Sequence, residues 1–278
     1  METLSEQRCF GGTQGFYQHN ASSTAGPMRF GVFMPPAQNR ALPVLYFLAG
    51  LTCNEETFAI KAGAQRLAAE LGLVLVTPDT SPRDTGIAGA TGDWEFGEGA
   101  GFYLDATTPE YATRFRMESW ISEELPALLP QHFAVDSTRQ GLCGHSMGGH
   151  GALVLALKHP QKYRSLSAFA PIVAPSQVPW GHKALPRYLG EDRAAWSRHD
   201  AVDLLNSGAR FDGEILIDQG EADKFLELQL RPELFETACA AAGQPLQLRR
   251  HAGYDHSYWF IQSFIGDHLR HHAAALAG

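Results

Sequence analysis

The sequence predicts an α/β fold built on a mostly parallel central sheet with helices on both faces. Two observations carry this. Short apolar runs of strand length alternate with longer stretches of helical period, the signature of strand–helix–strand units. Several short runs, among them V-L-Y-F-L-A and L-V-L-V-T, are apolar almost throughout, as strands covered on both faces must be. With no internal repeat and no low-complexity linker, residues 1–278 read as a single domain.

In chain order, strands are expected at Arg29–Met34, Val44–Ala49, Leu73–Thr77, Gln140–Cys143, Leu166–Ala170, Glu214–Asp218 and Leu246–His251. Helical patterns fall at Thr57–Leu71, Met117–His132, Met147–His159, Pro232–Ala242 and Ser257–His272. The last carries Phe260, Ile261, Phe264, Ile265 and Leu269 on one face. Two long segments fit neither pattern. Thr80–Thr108 is rich in Gly, Asp and aromatics, and Pro171–His199 holds Pro179, Trp180, Pro186 and Trp196. Long irregular segments in a domain are usually functional or disordered, and aromatic content argues against disorder. Both are expected to pack over the carboxyl edge of the sheet, where open α/β sheets bind ligands.

Composition narrows the function. The 30 acidic against 22 basic side chains give a net charge of −8, which disfavours nucleic-acid or acidic-membrane partners. No apolar run approaches the roughly 20 residues that span a bilayer. The start, M-E-T-L-S-E-Q-R-C-F, has neither a basic nor an apolar leader region. Cys9, Cys53, Cys143 and Cys239 are scattered, with no C-x-x-C pair. Together these point to a cytoplasmic protein with reduced thiols and no metal framework.

The chemistry enters at G-H-S-M-G-G, residues 144–149. This is the G-x-S-x-G nucleophile elbow in the context it requires, a strand before and a helix after. Gly144 and Gly148 flank a turn too sharp for a Cβ, and the turn lifts the Ser146 hydroxyl clear of the sheet edge. The context specifies the α/β-hydrolase fold. A serine is a poor nucleophile until a base takes its proton, and on this fold the partners follow in the order Ser, Asp/Glu, His. E-I-L-I-D runs into Q-G-E-A-D, giving Asp223 in a loop, with Asp218 at the strand end as the rival. L-Q-L-R-R-H runs into A-G-Y-D-H-S-Y, giving His256 before the last helix, with His251 as the rival. The oxyanion needs two donors: the N–H of Met147, and that of Leu51 or a neighbour in G-L-T-C after an early strand.

Beyond the elbow the chain resembles the S-formylglutathione hydrolase (esterase D) family from about Cys9 to Leu269. The segments that carry this include L-A-G-L-T-C-N-E-E-T-F, P-D-T-S-P-R, G-E-G-A-G-F-Y-L-D-A-T, G-H-S-M-G-G-H-G-A-L, V-P-W-G-H-K-A-L and G-Y-D-H-S-Y-W-F-I. The resemblance implies hydrolysis of the thioester S-formylglutathione to glutathione and formate, the last step of glutathione-dependent formaldehyde detoxification, with small esters cleaved as well. It implies Ser146, Asp223 and His256 as the triad, Leu51 and Met147 as oxyanion donors, no cofactor and no metal, and a homodimer. It also implies that Cys53 lies beside the site, whereas the residue alone reads as an inert thiol. A broad short-chain carboxylesterase is the alternative, since the same triad serves both. An acyltransferase and a catalytically dead binding module fit less well.

Trp180 and Phe102 are candidate pocket walls and Lys61 and Lys183 candidate partners for glutathione carboxylates; each also has an ordinary structural reading. Leu185, where relatives often carry phenylalanine, is a further candidate for the wall. The tail histidines His268, His271 and His272 suggest helix C-terminal cations more than metal ligands.

Overall fold

A nine-stranded sheet organises the chain in this computed structural model, which describes residues 1–277. Its strands are β1 (Glu2–Cys9), β2 (Gly12–Ala21), β3 (Gly26–Met34), β4 (Leu42–Leu48), β5 (Val74–Pro78), β6 (Val135–His145), β7 (Ser165–Phe169), β8 (Ile215–Gly220) and β9 (Leu246–His251). The spatial order is β1-β2-β3-β5-β4-β6-β7-β8-β9. The block from β5 to β9 is parallel throughout, and β1, β2 and β3 extend it antiparallel at one edge. The fold is the α/β-hydrolase type that the elbow predicts.

The helices are α1 (Glu55–Lys61), α2 (Gln65–Leu71), α3 (Met117–Ser119), α4 (Leu125–Leu128), α5 (Met147–Lys158), α6 (Pro179–Leu189), α7 (Arg193–Ser197), α8 (Ala201–Asn206), α9 (Pro232–Ala242) and α10 (Tyr258–Leu276). Helices α5 and α10 cover opposite faces of the same strands. On β7, Ser167 bonds His272 of α10, while a Cβ placed on Gly149 of α5 would lie 3.4 Å from the Ala168 Cβ. Adjacent strand residues point to opposite faces, so the two helices sandwich the sheet. Every residue of β4, β5 and β7 is buried; β4 and β5 are accordingly almost unbroken in apolar character, while the two buried serines of β7 are bonded to histidines of α10.

Three expectations need correction. Thr57–Leu71 is two helices, because the chain turns at Gly63 with φ +67°, a conformation glycine adopts without steric cost. Met117–His132 is a broken helical stretch, with a π turn at Trp120–Glu124 between α3 and α4. Pro171–His199 is not irregular, for it contains α6 and α7. The buried face of α6, Trp180, Ala184, Leu185, Tyr188 and Leu189, has helical spacing, but the flanking prolines mask it. Pro179 opens the helix, where its fixed φ is favourable, and Pro186 lies inside it.

The chain leaves β4 toward β5 on one side and leaves β6 toward β7 on the other. The carboxyl ends of β4 and β6 therefore flank a topological switch point, where open α/β sheets leave a crevice. The segment 80–108 carries only isolated bridges, at Gly97–Ala100 and Asp105–Arg116. It packs over this edge, tied by the Thr52 N–H to the Gly99 carbonyl at 2.9 Å. It is also tied by Arg83, which forks onto Asp79 and donates to the Cys53 carbonyl at 2.8 Å.

Candidate active site

Ser146 stands between β6 and α5 with φ +58° and ψ −119°, a strained conformation for a non-glycine residue. The neighbouring glycines explain how the strain is tolerated. A Cβ on Gly144 would overlap the Gly148 carbonyl, and one on Gly148 would overlap the Leu48 carbonyl. The turn can close only because both lack side chains. Gly50 also comes close, and a Cβ there would lie 3.2 Å from the Ser146 Cβ.

Asp223 lies in the loop after β8 and His256 in the loop after β9. Two backbone bonds lace these loops together: Glu221 N–H to the His251 carbonyl at 3.0 Å and Ala222 N–H to the Tyr254 carbonyl at 2.9 Å. Asp223 is buried. Its Oδ1 accepts from the Phe225 N–H at 2.8 Å, and its Oδ2 lies 2.5 Å from His256 Nδ1. A carboxylate on Nδ1 fixes the imidazole tautomer and leaves Nε2 for proton exchange.

Of the rival pair, Asp218 is fully buried and forked by Arg249, with both contacts at 2.6 Å. It also meets His268 at 3.2 Å. Burial pushes its carboxyl up, but His268 and Arg249 outweigh burial and hold it well below the usual range. Its oxygens are thus committed to an internal ion cluster. His251 stands 3.2 Å from the same carboxylate and stacks on Phe264.

Ser146 and His256 line one slot of about 210 Å³, with Leu51, Cys53, Trp94, His145, Trp180 and Phe225 among its other walls. Two backbone N–H groups beside it are uncommitted. Met147 is the first residue of α5, and the first N–H groups of a helix have no intrahelical acceptor. After β4, the N–H groups of Thr52 and Cys53 are held by the Gly99 and Gly50 carbonyls, and that of Leu51 has no protein acceptor among the described residues.

Trp180 lies in the wall, fixed by its indole N–H to Glu95 at 2.7 Å and packed edge-on to Trp94. Cys53 also lines the slot; burial pushes its thiol up, against weaker opposing pulls from Thr57, Lys61 and Tyr258. Phe102 does not line the slot. It is core, its ring against His150 and its carbonyl bonded by that histidine at 3.2 Å. Leu185 is likewise buried away from the slot. Lys183 is engaged by Asp93 and Glu95, and Lys61 has no anionic partner among the described residues.

Sequence reasoning missed three wall residues: His145, Trp94 and Phe225. His145 is the second position of the elbow. It is fully buried, its ring is 4.4 Å from that of His256, and burial with the neighbouring His256 drives it well below the usual histidine range. It is therefore a neutral spacer under the His256 ring. The tail histidines also differ from expectation. His268 and His272 are buried, bonded to Ser167 and Ser165, and held neutral by burial. They are not helix-end cations.

The model of the Esterase family matches residues 21–271. The S-formylglutathione hydrolase of Paracoccus denitrificans (strain Pd 1222) is 50% identical over 276 residues, covering 99% of this chain and 98% of that one. A solved S-formylglutathione hydrolase from Agrobacterium tumefaciens superposes with a TM-score of 0.97 at 50% identity, each chain covered in full. A fluorophosphonate-binding serine hydrolase of Staphylococcus aureus superposes at 0.75 over 94% of this chain and 98% of that one. At 18% identity it shares the fold alone. The elbow at Ser146, the parallel sheet and these near-full-length identities agree: the chain belongs to the esterase family, and within it to the S-formylglutathione hydrolases.

Proposed function

We propose that this chain is a serine thioesterase that hydrolyses S-formylglutathione to glutathione and formate, with Ser146, Asp223 and His256 as its triad. The observation that carries the reading is the small slot lined by both Ser146 and an Asp223-anchored His256, beside two free N–H groups. A formyl group needs little acyl space, and a slot of about 210 Å³ offers little.

In this mechanism Ser146 Oγ attacks the thioester carbonyl carbon while His256 Nε2 takes its proton. The carbonyl electrons move to oxygen, and the N–H groups of Met147 and Leu51 receive the oxyanion. The intermediate collapses with cleavage of the C–S bond, and the imidazolium returns its proton to the departing glutathione sulfur. A formyl ester of Ser146 remains. Water then adds under His256 general-base catalysis, formate leaves, and Ser146 regains its proton. Asp223 stays ionised and stabilises the imidazolium throughout. Cys53 and Trp180 bound the acyl space, and no step calls for a metal or cofactor.

The protein works in the cytoplasm in formaldehyde detoxification, as a homodimer. Support for that setting is the four unpaired cysteines, which suit a reducing compartment; light scattering on the purified protein tests the dimer. The test of the activity is mass spectrometry under rapid quench with S-formylglutathione. A formyl adduct on the peptide holding Ser146, absent in Ser146→Ala, supports the reading. Rapid thioester turnover by Ser146→Ala contradicts it.

A further inference from the structure

The slot is too small for glutathione, so the tripeptide must lie outside it. Two depressions lie near it, the first meeting its wall only through Tyr258 against His145 and the second sharing Phe225 and His256 with it. One is a groove of about 640 Å³ between the end of α1 and the start of α10, lined by Ile60, Lys61, Tyr258, Trp259 and Gln262. The other, about 390 Å³, is lined by Ala222, Lys224, Phe225, Asp255 and His256. The chain is acidic overall, and S-formylglutathione carries two carboxylates against one ammonium, so its capture needs local cations. Lys61 and Lys224 supply one to each depression. Both are exposed, and neither has an ion-pair partner among the described residues.

Their distances suit the task. Lys61 Nζ lies 5.8 Å from the Tyr258 ring, which stands 6.0 Å from the His145 ring in the slot. Lys224 Nζ lies 4.8 Å from the Phe225 ring, itself 5.0 Å from the His256 ring. Lys224 is thus two side-chain contacts from His256, and Lys61 is three from it by way of Tyr258 and His145, so each arm of the tripeptide must run extended to meet its lysine. The two depressions differ in charge. The Lys61 groove has a cation and large exposed apolar surfaces, Ile60 and Trp259 being 69% and 77% exposed, and no acid in its wall. The Lys224 depression holds both its cation and, elsewhere in its lining, the carboxylate of Asp255.

We propose that the glutathione moiety divides at the slot, its glycyl carboxylate on Lys61 over the Ile60–Trp259 surface and its γ-glutamyl end beside Phe225, carboxylate on Lys224 and ammonium on Asp255. This rests on the thioester reading above. A single carboxylate suits the groove with one cation, and a zwitterionic end suits the depression with both signs.

The test is steady-state kinetics of wild type, Lys61→Glu and Lys224→Glu, with folding checked by circular dichroism. The substrates are S-formylglutathione, S-formyl-γ-glutamylcysteine, S-formyl-N-acetylcysteinylglycine and p-nitrophenyl acetate. Lys61→Glu should raise KM for S-formylglutathione about tenfold with kcat within about twofold, the mark of lost uniform binding. That penalty should vanish on the glycine-free thioester and persist on the one lacking γ-glutamate. Lys224→Glu should show the opposite pattern, and added salt should shrink both effects. Unchanged KM in both variants, or equal loss on every substrate, overturns the assignment. If wild type cleaves the acetate ester but not S-formylglutathione, the substrate reading itself fails and this inference falls with it.

Discussion

Asp218 and Asp223 belong to the same strand and the loop after it, and the fold gives them different surroundings. Asp218 sits inside the sheet edge, neutralised by Arg249 and hydrogen-bonded to His268. Asp223 has one oxygen on a backbone N–H and the other on His256. In our reading Asp223→Asn presents the wrong imidazole tautomer, and kcat should fall about 10⁴-fold while the fold persists. Asp218→Asn should do the reverse. Arg249 loses its buried partner and keeps only the exposed Asp267, so the protein should lose about 2 kcal/mol of stability in urea titration and keep its turnover. Equal catalytic losses in the two variants would contradict this division. The choice between the aspartates was legible only as a preference, because both follow the same strand. What separates them is the partner each meets in space. Ser146 needed no such help, since its glycines announce the turn. Trp94 and Phe225 lie in irregular segments and reach the slot only through tertiary packing, so no local pattern exposes them.

The elements that place the site show what sequence periodicity captures. β9 and α9 have the bounds expected of them, because their patterning and end signals agree. The β1–β2 hairpin was not expected at all. Nearly every residue of β1 is exposed, and E-T-L-S-E-Q-R-C offers no apolar alternation. Its polar character suits an edge strand that must not pair with other chains. β2 buries Gly12, Gly15, Tyr17 and Ala21, so a single large side chain carries what is usually an apolar alternation. At the elbow the constraint is steric. Gly148→Ala would push a methyl group into the Leu48 carbonyl of β4, separating α5 from the strand that carries the Leu51 loop. That overpacking should cost about 3 kcal/mol, and activity should fall with it. A variant with native urea midpoint and native activity would show that the α5–β4 contact is not the constraint described.

For the whole molecule, the buried histidines set the response to acid. Burial lowers His150 to about 4 and His199 to about 3, and lowers His145, His268 and His272 as well. A group whose folded pKa is depressed contributes stability that is complete above its unfolded value, about 6.5 for histidine, and is lost as pH falls toward the folded value. Each such histidine removes up to about 1.4 kcal/mol per pH unit in that window. Glu118 acts in the same sense lower down. Burial pushes it up, but His159 and Lys158 outweigh burial and bring it to about 2. Glu55, Asp79 and Asp200 oppose this, burial raising each of them, but they are fewer. Urea midpoints should therefore drop steadily from pH 7 to pH 5, and a flat profile would contradict the neutral, buried state of these histidines. The architecture was readable because parallel strands buried on both faces must be apolar. The histidine network beneath it was not, because a histidine bonded to Ser165 or Ser167 looks the same in sequence as one in solvent.

A slot at Ser146 shaped for the formyl thioester of glutathione should show itself in kcat/KM on S-formylglutathione and on p-nitrophenyl acetate, measured for wild type and Ser146→Ala. Wild type should strongly prefer the thioester, and the variant should lose both activities. An ester cleaved as well as the thioester, or a Ser146→Ala protein that still turns over, would contradict this.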